Sequence, residues 1–202
     1  ATWIYVTHDR REATSVADRI ALLDEGRILQ IGTPRELGDD PNSLRVAQWM
    51  AARPLNVIHG KWRGGTAATF ECPWGRWTTP EETSVTTEER TEKRAGEIEL
   101  TEERLVTAVW RANEGRVERR TTSRSPADSD GTRRCWWPGV VRDLEDADGA
   151  SWVWIEQEQG WGELCVEVSA ADADWRRGDE VWAGFELART RWFEAENGRR
   201  LR

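Results

Sequence analysis

The chain has 202 residues, 38% hydrophobic and 33% charged, with a net charge of −8. No run approaches the ~18 consecutive apolar residues of a membrane helix. The acidic balance disfavours nucleic acid as the main partner, because phosphate binding rests on a surplus of Lys and Arg.

Fourteen Trp supply enough apolar bulk for a real core. Cys72, Cys135 and Cys165 lie 63 and 30 residues apart with no CxxC pair, so neither a zinc site nor a redox dithiol is indicated, and no metal ligand set is expected. They read as packed thiols of a reducing cytoplasm. The first residue is Ala, no signal peptide pattern precedes the fold, and the chain opens inside a strand pattern, which is the expectation for a fragment.

In chain order, residues 3–7 (Trp-Ile-Tyr-Val-Thr) are a run of β-formers, fitting a strand buried on both faces of a parallel sheet. His8 and Asp9 follow its end. A short helix is expected over 10–17, with Ala13, Val16 and Ala17 on its apolar face, Asp9 as N-cap and Glu12 as capping-box partner. A hairpin follows, with strands at 19–23 and 27–31 around Asp24-Glu25-Gly26. Thr33-Pro34-Arg35-Glu36 starts a helix with a capping box, which Gly38 ends. Asn42 or Ser43 caps another through Met50, and Arg53-Pro54 breaks it.

From Leu55 the pattern becomes short alternating runs at 67–72, 75–78, 105–110, 139–142, 152–156, 163–168 and 180–187. That spacing argues for an all-β barrel or sandwich. Residues 80–104 read as a solvated surface segment and 113–134 as a long loop; a structureless loop that long is unusual in a compact domain, so part of it is expected to hold strand or be mobile.

The ordered words Ile4-Tyr5-Val6-Thr7-His8-Asp9, Glu12-Ala13, Ala17-Asp18-Arg19-Ile20, Asp24-Glu25-Gly26-Arg27-Ile28 and Gln30-Ile31-Gly32-Thr33-Pro34-Arg35-Glu36-Leu37 resemble the end of an ABC transporter ATP-binding domain. Pro54-Leu55-Asn56-Val57 resembles the link into the regulatory region of the sugar and glycerol-phosphate importer subgroup. Gly178-Asp179-Glu180-Val181 and the run from Trp192 to Leu201 resemble the close of its transport-associated OB-fold (TOBE) module. The fold expected is therefore α+β: a small α/β remnant of a P-loop ATPase domain over 1–52, then an all-β OB-like barrel over 53–202. Two departures stand out. Arg10 occupies the place of the family's usual Gln, and the family's Arg-Pro-Glu triplet appears only as Arg111-Ala112-Asn113.

The resemblance implies that His8 contacts the γ-phosphate of ATP and helps hold the attacking water. Independently, ligands of α/β sheets gather at the C-terminal ends of parallel strands, and an imidazole can donate to a phosphate oxygen. Catalysis of phosphoryl transfer is positioning and charge stabilisation, so one such donor matters. His8 is the single candidate catalytic and ATP-binding residue; Asp9 reads as a cap. The chain contains no GxxxxGK[ST] loop, since Gly60-Lys61 is followed by Trp62, and no LSGGQ-like signature or apolar strand ending in Asp-Glu. By itself it is expected not to hydrolyse ATP.

For a full-length parent the resemblance implies ATP and Mg²⁺ as cofactors, and transmembrane permease subunits and a second copy as partners. It also implies a cytoplasmic, peripheral place on the inner face of the cell membrane. The transported solute is not legible, though the link motif favours sugars. A second reading is a free-standing OB-type regulatory or ligand-binding module. Trp136-Trp137, Trp152/Trp154 and Trp74/Trp77 are its candidate stacking faces for a sugar or regulatory partner, against core and dimer packing as the plainer use. The basic cluster Arg116, Arg119, Arg120, Arg124, Arg133 and Arg134 reads as a solvated loop. Having lost its sheet neighbours, the 3–7 run is expected to leave residues 1–50 poorly anchored.

Overall fold

The structure, a computed structural model, describes residues 1–64, 69–78, 103–121, 134–147, 149–157, 162–169, 174–186 and 189–201. Three short helices and a hairpin come first: α1 (Arg10–Val16), β1 (Ile20–Asp24), β2 (Arg27–Gly32), α2 (Pro34–Asp39) and α3 (Leu44–Met50). The rest is β: β3 (Asn56–Arg63), β4 (Thr69–Cys72), β5 (Gly75–Thr78), β6 (Glu103–Trp110), β7 (Gly115–Arg119), β8 (Arg134–Ala147), β9 (Ala150–Gln157), β10 (Glu163–Ser169), β11 (Glu180–Glu186), β12 (Arg191–Glu194) and β13 (Arg200–Leu201). One 3-10 turn, Ala112–Glu114, sits between β6 and β7. The expected α+β class, helical at the start and all-β afterwards, is what forms.

Residues 3–7 are not a strand. Their sequence favours one, but a strand exists only through hydrogen bonds to a neighbour, and none of the described strands pairs with them. Asp9 caps α1 as expected, accepting from the N–H groups of Arg11 and Glu12. Glu12 does not close a capping box. Its Oε2 instead takes the hydroxyls of Thr7 at 2.7 Å and Tyr5 at 3.1 Å, and this contact raises the Tyr5 phenol above its ordinary value. Of the expected apolar face of α1, Ala13 is buried but Val16 is exposed.

The hairpin turns through Glu25 (φ 48°) and Gly26 (φ 74°), the two positive-φ positions that match strand twist. Thr33, Pro34 and Glu36 start α2 with the expected capping box. Gly38 does not end it; the helix runs to Asp39, with Asp40 as C-cap. Ser43 caps α3, while Asn42 donates its amide to the Leu29 carbonyl at 2.6 Å. Leu37 and Val46 are wholly buried, packed with Ala13, Ile20 and Leu22.

The β part holds two antiparallel sheets, ordered β10-β9-β8-β11-β7 and β13-β12-β6-β3-β4-β5. Both contribute to one core, with Ile58, Phe70, Val106 and Trp110 from one sheet and Trp137, Val153, Ile155 and Phe185 from the other. Trp110 and Phe185 stack with centroids 4.1 Å apart, and Trp137 meets Phe185 at 5.2 Å. The run expected at 139–142 is only the middle of a 14-residue strand, which shifts register between Val141 and Asp143.

Part of the long loop expected at 113–134 does hold strand: it is the edge strand β7, paired with β11, whose place the sequence did not mark because only Val117 stands between its charged residues. Residues 122–133, and 79–102 of the solvated segment, lie outside the described residues. β3 also escaped the pattern, because Gly60 stands where alternation demands an apolar side chain. A Cβ there would lie 2.5 Å from the Phe70 ring and 2.6 Å from the Glu71 carbonyl oxygen. The Phe70 ring thus does the packing that a side chain at 60 would have done. Gly60→Ala is expected to lower unfolding free energy by about 1–3 kcal/mol, the usual cost of overpacking, measured by urea denaturation.

Candidate functional site

The N-terminal part builds the candidate site from residues 1–32. His8 lies between the irregular 3–7 run and α1, with its side chain exposed. Its backbone is framed locally: Thr7 Oγ1 accepts from the Asp9 N–H at 3.0 Å, and Asp9 Oδ1 accepts from the Arg11 N–H at 2.6 Å. Among the described residues no acidic or metal-ligating cluster surrounds it. The imidazole is therefore held at its base and open at its tip, able to donate to a group brought from outside.

The same stretch of chain carries uncovered apolar side chains. Trp3, Ile4 and Val6 are 89%, 91% and 89% exposed. In the hairpin, Ile20, Leu22 and Gly32 face inward; the inward face is close, with Leu37 Cδ1 only 2.8 Å from where a Cβ on Gly32 would sit. On the outward face Ala21 pairs with Ile31 and Leu23 with Ile28, and Leu23, Ile28 and Ile31 are 65%, 57% and 50% exposed. A hairpin apolar on both faces is the pattern of an element covered on both sides, and a contiguous apolar patch marks an interaction site. At the hairpin's turn the Arg45 guanidinium grips Asp24 through two 2.9 Å hydrogen bonds, which holds that carboxyl below its usual range.

Residues 20–50 are better anchored than their sequence led us to expect. Ala47 and Leu44 of α3 pack with Val109 and Phe193 of β6 and β12. The Leu44 N–H donates to the Gly198 carbonyl at 2.8 Å and the Arg200 N–H to the Asn42 carbonyl at 2.9 Å. Arg111 donates to the Gly38 carbonyl at the end of α2. Glu114 accepts from the Arg111 N–H at 2.7 Å and pairs with the largely buried Arg191 at 2.9 Å. These seam residues were not found from the sequence. The one available signal was the arginine of Arg111-Ala112-Asn113, and it pointed to the family triplet.

The Trp candidates go to packing. Trp137 is buried against Trp74, at 5.3 Å, and Trp77, at 6.0 Å. Trp136 is buried, with its ring against Gly184. Trp152 is buried beneath the Arg53 guanidinium, 3.9 Å from the ring centroid, and Trp154 packs on the same cluster. Trp136, Trp137 and Trp152 are thus buried, while Trp74, Trp77 and Trp154 are half-buried against the core.

In the basic cluster, Arg116 donates to the Gly115 carbonyl, Arg119 pairs with Asp179 at 2.8 Å, and Arg120 lies 3.6 Å from Glu180; Arg124, Arg133 and the Arg134 side chain lie outside the described residues. Burial pushes the Cys135 and Cys72 thiols up and that of Cys165 to about 12, so all three stay protonated and poorly nucleophilic at neutral pH. A shallow notch at the seam is lined by Met50, Leu55, Val109, Arg111 and Arg191.

No protein-family model matches the chain. Curated relatives match over about a third of it. It is 50% identical over 64 residues to the sn-glycerol-3-phosphate import ATP-binding protein UgpC of Jannaschia sp., covering 32% of this chain and 18% of that protein. It is 43% identical over 75 residues to UgpC 3 of Rhizobium etli, covering 35% and 22%. It is 42% identical over 65 residues to the xylose/arabinose import ATP-binding protein XacK of Haloferax volcanii, covering 32% and 17%. Over that stretch the chain is similar to ATP-binding proteins of sugar and glycerol-phosphate importers. The matched stretch is thus about a fifth of the length of those relatives. Among solved structures, the cytoplasmic molybdate-binding protein ModG aligns with a TM-score of 0.47 and 15% identity over 68% of this chain and 94% of that one; nothing is built on a likeness of that size. No helix among the described residues is long and apolar enough to cross a membrane.

Proposed function

We propose that the chain is the C-terminal part of the ATP-binding subunit of an ABC importer for carbohydrates or related solutes, with a regulatory TOBE-type β domain. The observation that carries this is the coincidence of two facts. The importer-like words run from Ile4 to Leu37, and the same stretch bears the apolar surface that this chain leaves uncovered. The surface is where the remainder of an ATPase domain would pack, and packing would place a partner strand beside residues 3–7.

In that setting His8 donates to the γ-phosphate oxygen of ATP and helps orient the attacking water. The phosphate loop and the acidic Mg²⁺ partner are not in this sequence, so the chain's own contribution to the chemistry is this one donor. The working assembly pairs two such subunits with membrane permeases on the inner face of the cell membrane, and a regulatory protein or small ligand acts at the β part. The second reading, a free-standing module with Trp stacking faces, is the weaker one, because Trp136, Trp137 and Trp152 are buried.

The test mixes this chain with the separately produced N-terminal portion of the Jannaschia UgpC protein and follows amide exchange. Residues 3–7, fast-exchanging in the chain alone, become protected on mixing. Unchanged exchange there, with the two pieces bound or unbound, contradicts the proposal. The double variant Leu23→Lys, Ile31→Glu is expected to abolish association while changing the stability of the isolated chain by no more than about 0.5 kcal/mol, as befits exposed positions.

A further inference from the structure

The seam described above has a mechanical meaning that similarity to importers does not supply. A charged chain of contacts crosses it: Arg191 on β12 pairs with Glu114 at 2.9 Å, and Glu114 accepts from the Arg111 N–H at 2.7 Å. The Arg111 guanidinium then reaches the Gly38 carbonyl and lies 3.7 Å from the Asp39 carboxylate. Beneath it the apolar cluster of Ala47, Val109 and Phe193 is closed, and to one side Ser43 bridges to Arg199. Arg191 and Glu114 are largely buried, where an ion pair resists separation because either charge left alone is costly.

We infer that Arg111 is a latch fastening residues 20–50 to the β part, so that the two open and move as one cooperative unit. The loose joint lies on the N-terminal side, in residues 1–8, whose side-chain hydrogen bonds among the described residues are the local ones of Tyr5 and Thr7 with Glu12 and Asp9. A reorientation of the β sheets therefore carries the apolar hairpin face with it. Stability is divided among cooperative units according to such packing. The inference concerns this chain alone and stands or falls apart from the importer reading.

Amide exchange on the intact chain tests it. In the unaltered protein the slow amides of α3 and β2 exchange together with those of β6 and β12, and residues 3–7 exchange far faster. Arg111→Ala speeds exchange across α2 and α3 by about tenfold or more, the effect of losing a charge-assisted bond, while β8 and β9 keep their rates. Arg111→Lys, a cation without the planar fork, recovers only part of the protection. The inference is overturned by residues 20–50 exchanging as a separate, weaker unit in the unaltered chain, or by α2 and α3 unaffected by Arg111→Ala. Unchanged β8 and β9 rates confirm that the variant is folded; a uniform loss across both sheets also counts against a local latch.

Discussion

Asn56→Ala lowers the unfolding free energy by about 2–5 kcal/mol, the cost of leaving two buried backbone groups unpaired at ~1–3 kcal/mol each. Asn56 is buried at the start of β3, yet its partner lies in the other sheet. Its Nδ2 donates to the Cys165 carbonyl at 2.8 Å, and its Oδ1 accepts from the Cys165 N–H at 2.8 Å. β10 is an edge strand, so these are groups that no further strand satisfies. One amide side chain thus finishes the edge and ties the two sheets together. For a chain of this size the melting temperature falls by roughly 4–20 °C, at about 2–4 °C per kcal/mol. Asn56→Asp gives a sharper signature. Only a protonated carboxyl can both donate to the carbonyl and accept from the N–H, so burial raises its folded pKa above the unfolded value of about 3.9. A raised folded pKa stabilises below the unfolded pKa, and that stabilisation is lost as pH rises through the folded value. The deficit of Asn56→Asp relative to the unaltered protein is smallest near pH 4 and grows toward neutrality. A pH-independent deficit contradicts the pairing.

His8→Ala, placed in a chimera whose upstream ATPase portion comes from the Jannaschia UgpC protein, lowers kcat for ATP hydrolysis by about 10²–10³-fold, the usual cost of removing one donor from developing transition-state charge. ATP affinity changes little, because the groups that cradle the phosphates and metal lie in the upstream portion. The asymmetry between kcat and KM separates this role from a structural one: His8 is exposed and holds no part of the fold, so the chimera's melting temperature is unaltered. A parallel rise in KM with intact kcat would assign His8 to uniform binding instead.

The elements most legible in the sequence were those written in local chemistry. The capping box at Thr33 and Glu36, the Ser43 cap and the Glu25-Gly26 turn depend on neighbours within a few residues and form as read. The 3–7 strand failed for the opposite reason: its β-formers specify a strand only when a sheet supplies the partner. β3 was hidden by Gly60, whose place in the core is taken by Phe70 from another strand, and β7 by its charges. Glu12 was assigned the cap's reciprocal bond, yet two hydroxyls upstream took it. The seam and the Asn56 tie join residues 73 and 109 positions apart, a separation at which spacing carries no signal. The Trp residues were legible as apolar mass but not as to which face they serve; the two-sheet core settled that. For the candidate site, His8 was singled out by its surrounding words alone, whereas the apolar hairpin face needed the cross-strand register to be seen.

The central claim is that this chain completes an ATPase whose other parts lie elsewhere. The most direct measurement is ATP turnover by three samples: the chain alone, the UgpC-derived upstream portion alone, and the chimera joining them. Only the chimera is expected to turn over ATP, and His8→Ala slows it by about 10²–10³-fold. A folded, nucleotide-binding chimera whose turnover is the same with and without His8 would contradict it.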